Sequence, residues 1–325
     1  MTPVTKSLLA DVSVIIVNWN AKKYVEECLT SLIEAANDLS VEIILVDNAS
    51  TDGSVEMVNQ SFPSVKVIQN ESNLGFAAAN NIGIKVATGK YVCLINSDVN
   101  VPPNCLQNMY RYMNEQPSIG LLGPKMLGKC GNTRRSGMRF PTIGNMLLRA
   151  LALDSTLKGP GPMGGFLMAD FHFDQIKDME VLNGWFWMAR REALDEVGLL
   201  DEQFFMYGED IDWCKRFRLA GWRIVFYPQA EALHYGGASS ANAPIRFFIE
   251  MQRANLQYWK KYHGRVSLFF YLLVVWLNHI VRTLAWSLTY LARPKRRSRA
   301  SSEIIQNTAC MRWLLGSTEF EIASK

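Results

Sequence analysis

A chain of 325 residues with 49% hydrophobic content can bury one large core or two smaller ones. Its 34 basic and 30 acidic residues leave a formal charge of +4, too mild to indicate nucleic acid as a partner. Six cysteines, none in a C-x-x-C pair, exclude a zinc-ribbon pattern and a disulfide framework; they read as reduced, mostly buried thiols.

The N-terminal residues do not read as a signal peptide, since Asp11 interrupts the apolar run, so a cytosol-facing domain is expected. From there strands and helices alternate. VSVIIVN (12–18) is a β-branched run and predicts a buried strand. KKYVEECLTSLIEAA (22–36) repeats its apolar residues at helical spacing, and VEIILVD (41–47) is a second buried strand. STDGSVEMVNQ starts a short helix, VKVIQN (65–70) is a third strand, and GFAAANNIGIKVATG is a helix closed by Gly89. YVCLINSD (91–98) is a fourth strand. Four such units predict an α/β fold with a mainly parallel sheet flanked by helices. Ligands in such sheets bind beyond the carboxyl ends of the strands, which selects Asn18, Asp47 and the 96–98 segment.

The second half is less regular. IGLLGPKML (119–127) predicts another strand, whereas 128–178 is rich in Gly, Pro, Arg and Met and reads as a long surface segment. VLNGWFWMARREALDEVG returns to strand and helix. In GEDIDWCKR, acids precede bases as at a helix start, and the helix is expected to run to about Ala220. WRIVFYP and AEALHYGG read as two short strands. From Val266 an apolar run of 27 residues carries one charge, Arg282, and RPKRRSR follows. It is long enough to cross a bilayer, but Asn278, His279 and Arg282 would be costly there. A helix or helical hairpin in the membrane interface is the expectation, its basic cluster on anionic lipid. The competing expectation is an apolar helix packed on the domain or in a homodimer. The division expected is a domain over 1–262, with halves at about 11–127 and 128–262, and C-terminal helices with a basic tail over 263–325.

Several polar groups have two readings each. Asn96 and Asp98 lie on one side of an extended chain, so Asp98 is either a hard ligand for Mg²⁺ or Mn²⁺ or a cap. Asp47 either accepts from a base or ribose or caps the next helix. His234, ending an apolar strand, either completes a metal shell or bonds backbone. Glu209 and Asp210 include a candidate general base.

The ordered segments VSVIIVNWN, VEIILVDNASTDGS, NLGFAAANNIGIKVATGKYVCLINSD, GWFWMARREALDEVGLLDEQFFMYGEDIDWCKR and HYGGAS closely resemble family 2 glycosyltransferases of the GT-A fold, in the rhamnosyltransferase-type branch. The resemblance covers roughly 11–262. It implies inverting transfer of a sugar from a nucleotide-diphosphate donor to a hydroxyl, with a lipid-linked saccharide as acceptor and dTDP-rhamnose as the first donor to consider. It implies a nucleotide-sugar pocket of Val17, Asn18, Asp47, Asn80, Asn96 and Ser97, and a Mg²⁺ or Mn²⁺ held by Asp98 and His234. Asp210 takes the base position, with Glu209, Gly184 and Trp185 at the acceptor. Two departures stand out. NSD replaces the family's DxD, so Asn96 is neutral, and no role follows for 128–178, where Arg134, Arg135 and Arg139 either meet phosphate or face solvent. Asp212 is expected to pair with Arg216 on the helix surface. A Rossmann enzyme is excluded because no G-x-G-x-x-G follows the first strand. A non-catalytic nucleotide- or carbohydrate-binding scaffold is the alternative from another class.

Overall fold

The computed structural model describes residues 10–36, 38–153, 165–168, 170–236 and 244–317. In chain order the elements are β1 (Ala10–Asn18), α1 (Lys22–Ala36), β2 (Val41–Asp47), α2 (Ser54–Ser61), β3 (Lys66–Gln69), α3 (Phe76–Val86), β4 (Gly89–Asn96), β5 (Val99–Asn100), α4 (Cys105–Glu115) and β6 (Ile119–Leu127). There follow β7 (Thr133–Arg134), β8 (Gly137–Met138), α5 (Ile143–Ala150), β9 (Lys177–Asp178), β10 (Val181–Leu182), β11 (Phe186–Arg190), α6 (Arg191–Val197), α7 (Glu209–Leu219) and β12 (Arg223–His234). Three helices end the described chain: α8 (Pro244–Tyr262), α9 (Arg265–Ala292) and α10 (Arg297–Leu314).

The main sheet has the order β3-β2-β1-β4-β11-β6-β12-β5. Strands β3, β2, β1 and β4 are parallel neighbours, as the alternation predicts. The parallel pattern stops at β11, which is antiparallel to both β4 and β6, and β5 is antiparallel to β12. Central strands are buried on both faces, which is why β1, β2 and β4 read as unbroken apolar runs rather than alternating ones. Their side chains pack with α1 and α4 through Val25, Leu29, Leu32, Leu106 and Met109 in one core.

Four sequence expectations are corrected. Gly89 does not close α3; it opens β4, where an added Cβ would meet the Ser13 backbone of β1. The two short strands expected around 222–235 are one strand, β12, with register shifts between Arg223 and Ile224 and between Tyr227 and Glu231. The 128–178 segment is not wholly irregular: Thr142 and Asn145 form a reciprocal capping box that starts α5. Residues 294–314 form a 3-10 turn and then a helix, where a basic tail was expected.

The described chain divides into two compact units, one of residues 10–138, 172–205 and 209–236, the other of 139–171, 206–208 and 244–317. The 262/263 boundary expected from sequence falls inside the second unit, where α8 packs on α10 through Ile249, Ala309 and Cys310. Five of the six cysteines are buried and all are free thiols; only Cys130 is exposed.

Candidate active site

The site is built where the parallel strands end. Asn18 ends β1 and Asp47 ends β2, in register with each other. The Asn18 amide donates to Asp47 Oδ1 at 2.9 Å and to the Ser50 hydroxyl at 3.1 Å. The Ser50 backbone N–H donates to Asp47 Oδ2 at 2.8 Å, so both carboxylate oxygens accept a bond. The Ser50 hydroxyl also accepts from the backbone N–H of Asn20. Sequence reasoning missed Ser50; the clue was its place three residues after a strand-end Asp, the spacing of a side-chain-to-backbone turn. Asn18 Oδ1 is a buried acceptor with no partner among the described residues.

Asn80 is buried on α3, its amide donating to the Phe76 carbonyl. The start of α3 is tied to the β2 loop through Asn48, whose amide donates to the Gly75 carbonyl at 3.1 Å. Gly75 has φ +85° and lies against the Phe205 backbone, so no side chain fits there; Phe76 N–H donates to the Phe205 carbonyl at 2.6 Å.

One strand further on, Val17 lies in register with Asn96 on β4. Asn96, Ser97 and Asp98 follow, the latter two buried. The short β5 then pairs with the end of β12, setting His234 opposite Val99. This brings His234 Nε2 to 3.1 Å from Asp98 Oδ1 and 3.4 Å from the Asn96 amide nitrogen. Trp185 stacks on the imidazole at 5.5 Å and 16°, and its carbonyl accepts from Asn96 N–H. Trp185 is almost fully buried and backs His234. Among the described residues no third His, Cys, Asp or Glu joins Asp98 and His234. A carboxylate oxygen and an imidazole nitrogen on one side of a pair fit a hard divalent ion that takes the rest of its shell from phosphate oxygens and water.

The third cluster starts α7. Tyr207 and Gly208, both at positive φ, turn the chain immediately before Glu209. Glu209 is buried and its Oε2 has no partner. Burial first, then the charges of Asp210 and Asp212, hold its carboxyl well above the usual range, which favours the protonated form. Asp210 is partly exposed and accepts from the Ile211 backbone N–H. The position of Gly184 faces it: a Cβ there would lie 3.5 Å from the Asp210 Cβ and 3.0 Å from the Trp187 ring. Asp212 pairs with Arg216 at 2.9 Å as expected, but it is fully buried rather than on the surface, because α7 packs that face inward with Trp213 and Phe217. Gly184 therefore lies beside Asp210, and the adjacent Trp185 stacks on His234.

The family model for "Glycosyl transferase family 2" matches residues 13–198, more than half of the chain. The chain belongs to glycosyl transferase family 2. It is a glycosyltransferase of the GT-A fold. This family 2 chain is 28% identical over 246 residues to an N-acetylglucosaminyl-diphospho-decaprenol L-rhamnosyltransferase of Mycobacterium tuberculosis, covering 71% of this chain and 78% of the relative. Among solved structures it resembles a mannosyltransferase from Pyrobaculum calidifontis in complex with GDP-Man and Mn²⁺, with TM-score 0.57, 16% identity, and coverage of 98% and 91% of the two chains. It also resembles GalNAc-T7 with UDP, GalNAc and Mn²⁺, at TM-score 0.53 and 19% identity over 76% of this chain and 47% of the other. At these identities the structural likeness speaks for the fold.

Proposed function

We propose that this glycosyltransferase moves a sugar, with inversion, from a nucleoside diphosphate to a hydroxyl of a lipid-diphosphate-linked saccharide during cell-surface polysaccharide synthesis. L-Rhamnose from dTDP-rhamnose is the donor to test first, on the strength of the mycobacterial relative's acceptor and sugar. The observation that carries the reading is the Gly184–Trp185 step, which joins a candidate base to a candidate metal pair.

Asn18 and Asp47, with Val17 and Asn80 around them, take the nucleotide; Asp47 is held in place by Ser50 and can accept from an imide N–H or a hydroxyl. Asn96 and Ser97 lie toward the ribose and diphosphate. Asp98 and His234 would hold Mg²⁺ or Mn²⁺, which supplies Lewis-acid stabilisation to a departing diphosphate. The mannosyltransferase and GalNAc-T7 structures, each containing Mn²⁺, support that choice. Neutral Asn96 lowers the local negative charge, so the pair leans on the donor diphosphate for affinity. Asp210 accepts the proton of the attacking hydroxyl. Glu209 orients the acceptor or the base. The reaction is placed at the cytoplasmic face of the plasma membrane, where a lipid-linked acceptor resides.

The test incubates the enzyme with a panel of nucleotide sugars, Mg²⁺ or Mn²⁺ and membrane lipid extract. Inverted product is expected, and Asp210→Asn should lower kcat by roughly 10²–10⁴-fold. Transfer surviving in that variant removes Asp210 as base; binding of donor without turnover in the native enzyme would favour a non-catalytic scaffold.

A further inference from the structure

The C-terminal unit carries a surface that the sugar-transfer site does not use. Helix α9 is long and apolar enough to cross a membrane, yet only 22% of its most apolar window is buried, so it is not a core helix. Its exposure is sorted by face. Val266, Phe270, Leu273, Leu284, Leu288 and Leu291 are each at least 50% exposed and recur at whole helical turns. At 1.5 Å per residue this stripe runs for roughly 38 Å, the length of the helix. Tyr271, Val274, Val275 and His279 are buried on the opposite side. The polar residues that argued against a membrane span, Asn278, His279 and Arg282, lie in that inner sector. Arg282 donates to Asn278 at 2.9 Å, and His279 Nδ1 meets Asn307 Oδ1 of α10 at 2.8 Å.

Helix α10 decides how α9 meets lipid. Arg299 lies over the Trp286 ring and Asn307 bonds His279, so α10 runs back antiparallel along α9. It carries Arg297, Arg299, Glu303 and Arg312. Driving α9 through the hydrocarbon would drag these charges with it, at a cost of about 2.5–3.5 kcal/mol for each cation at the centre. The stripe can bury itself without that cost only by lying flat. Where α9 gives way to α10, Arg293, Lys295, Arg296, Arg297 and Arg299 are all exposed. The guanidinium groups of Arg297 and Arg299 sit 5.5 Å over Tyr290 and Trp286, pairing cations with ring types that favour the headgroup level.

We propose that α9 lies parallel to the membrane plane as a monotopic anchor, its Val266–Leu291 stripe in the acyl boundary and its basic turn on anionic lipid headgroups, with α10 as a water-side brace. This deepens the membrane placement above but does not depend on the sugar transferred. The full-length protein is mixed with phosphatidylcholine vesicles and with vesicles containing phosphatidylglycerol, and floated through a density step. Binding to the anionic vesicles is expected, released by pH 11 carbonate. Leu284→Glu should abolish it while the variant keeps the native circular dichroism melt. Converting Lys295, Arg296 and Arg297 to Gln together should weaken anionic binding roughly a hundredfold. Donor hydrolysis in detergent should persist in Leu284→Glu, which separates failure of this anchor from failure of the glycosyltransferase reading. Carbonate-resistant binding would overturn the proposal in favour of a span. Absence of vesicle binding, with a dimer in sedimentation that Leu284→Glu dissociates, would overturn it in favour of a second copy covering the stripe.

Discussion

The end of β2 and the start of α7 each bury a carboxyl group, and they treat it in opposite ways. Asp47 receives a bond on each oxygen, from the Asn18 amide and the Ser50 N–H. Glu209 leaves one oxygen unbonded and has Asp210 and Asp212 for neighbours. Bonds to the ionised form favour an anion, whereas burial without them favours a neutral acid. Burial alone therefore does not assign a carboxyl its role; the donors around it do. The same chemical group accepts two bonds at the end of β2 and is buried with one oxygen unbonded at the start of α7.

Three substitutions press on this contrast. The largest effect is expected from Asp212→Asn, which strips a buried partner from Arg216. It should cost about 3 kcal/mol in denaturant unfolding, the low end for a buried pair because Arg216 reaches solvent. It should leave kcat nearly intact, the reverse of Asp210→Asn. Asp47→Asn comes next: its amide would set a donor against the Asn18 amide or the Ser50 N–H. A donor KM about tenfold higher and a loss of about 1–3 kcal/mol in stability are expected. The mildest is Glu209→Gln. Above the unfolded carboxyl pKa the unfolded chain releases a proton that the native Glu209 keeps, so native stability falls as pH rises toward the raised folded value. Gln has no such loss. The melting temperature of Glu209→Gln should exceed that of the native protein by a margin that widens from pH 5 to pH 8. A constant margin would mean that Glu209 is ionised, and the contrast with Asp47 would be gone.

Much of the first half was legible from its residues. The bounds of α1 match the expected 22–36 because its apolar spacing is unambiguous. The strand ends at Asn18 and Asp47 were legible because a polar residue closes an unbroken apolar run, whereas β4 stops at Asn96, two residues short of the expected Asp98. What stayed hidden depended on distant partners. Nothing near Trp185 signals that it stacks on His234, and a helix wheel cannot say that Asp212 faces inward. Helix α10 lacks an apolar stripe because it buries small and polar residues, Ala300, Asn307, Ala309 and Cys310, so its pattern resembled a basic tail. Gly89 looked like a helix stop because glycine serves equally for close strand approach.

The two-residue β5 has an effect far larger than its size. It is the clasp through which β12 brings His234 to Asp98, two groups 136 residues apart in sequence. During synthesis the Asn18–Asp47 pair of β1 and β2 can assemble long before β12 leaves the ribosome. The Asp98–His234 pair cannot. A chain interrupted upstream of 234 would still pair Asn18 with Asp47 but would leave Asp98 without His234, so this half of the constellation forms only when the sheet is complete.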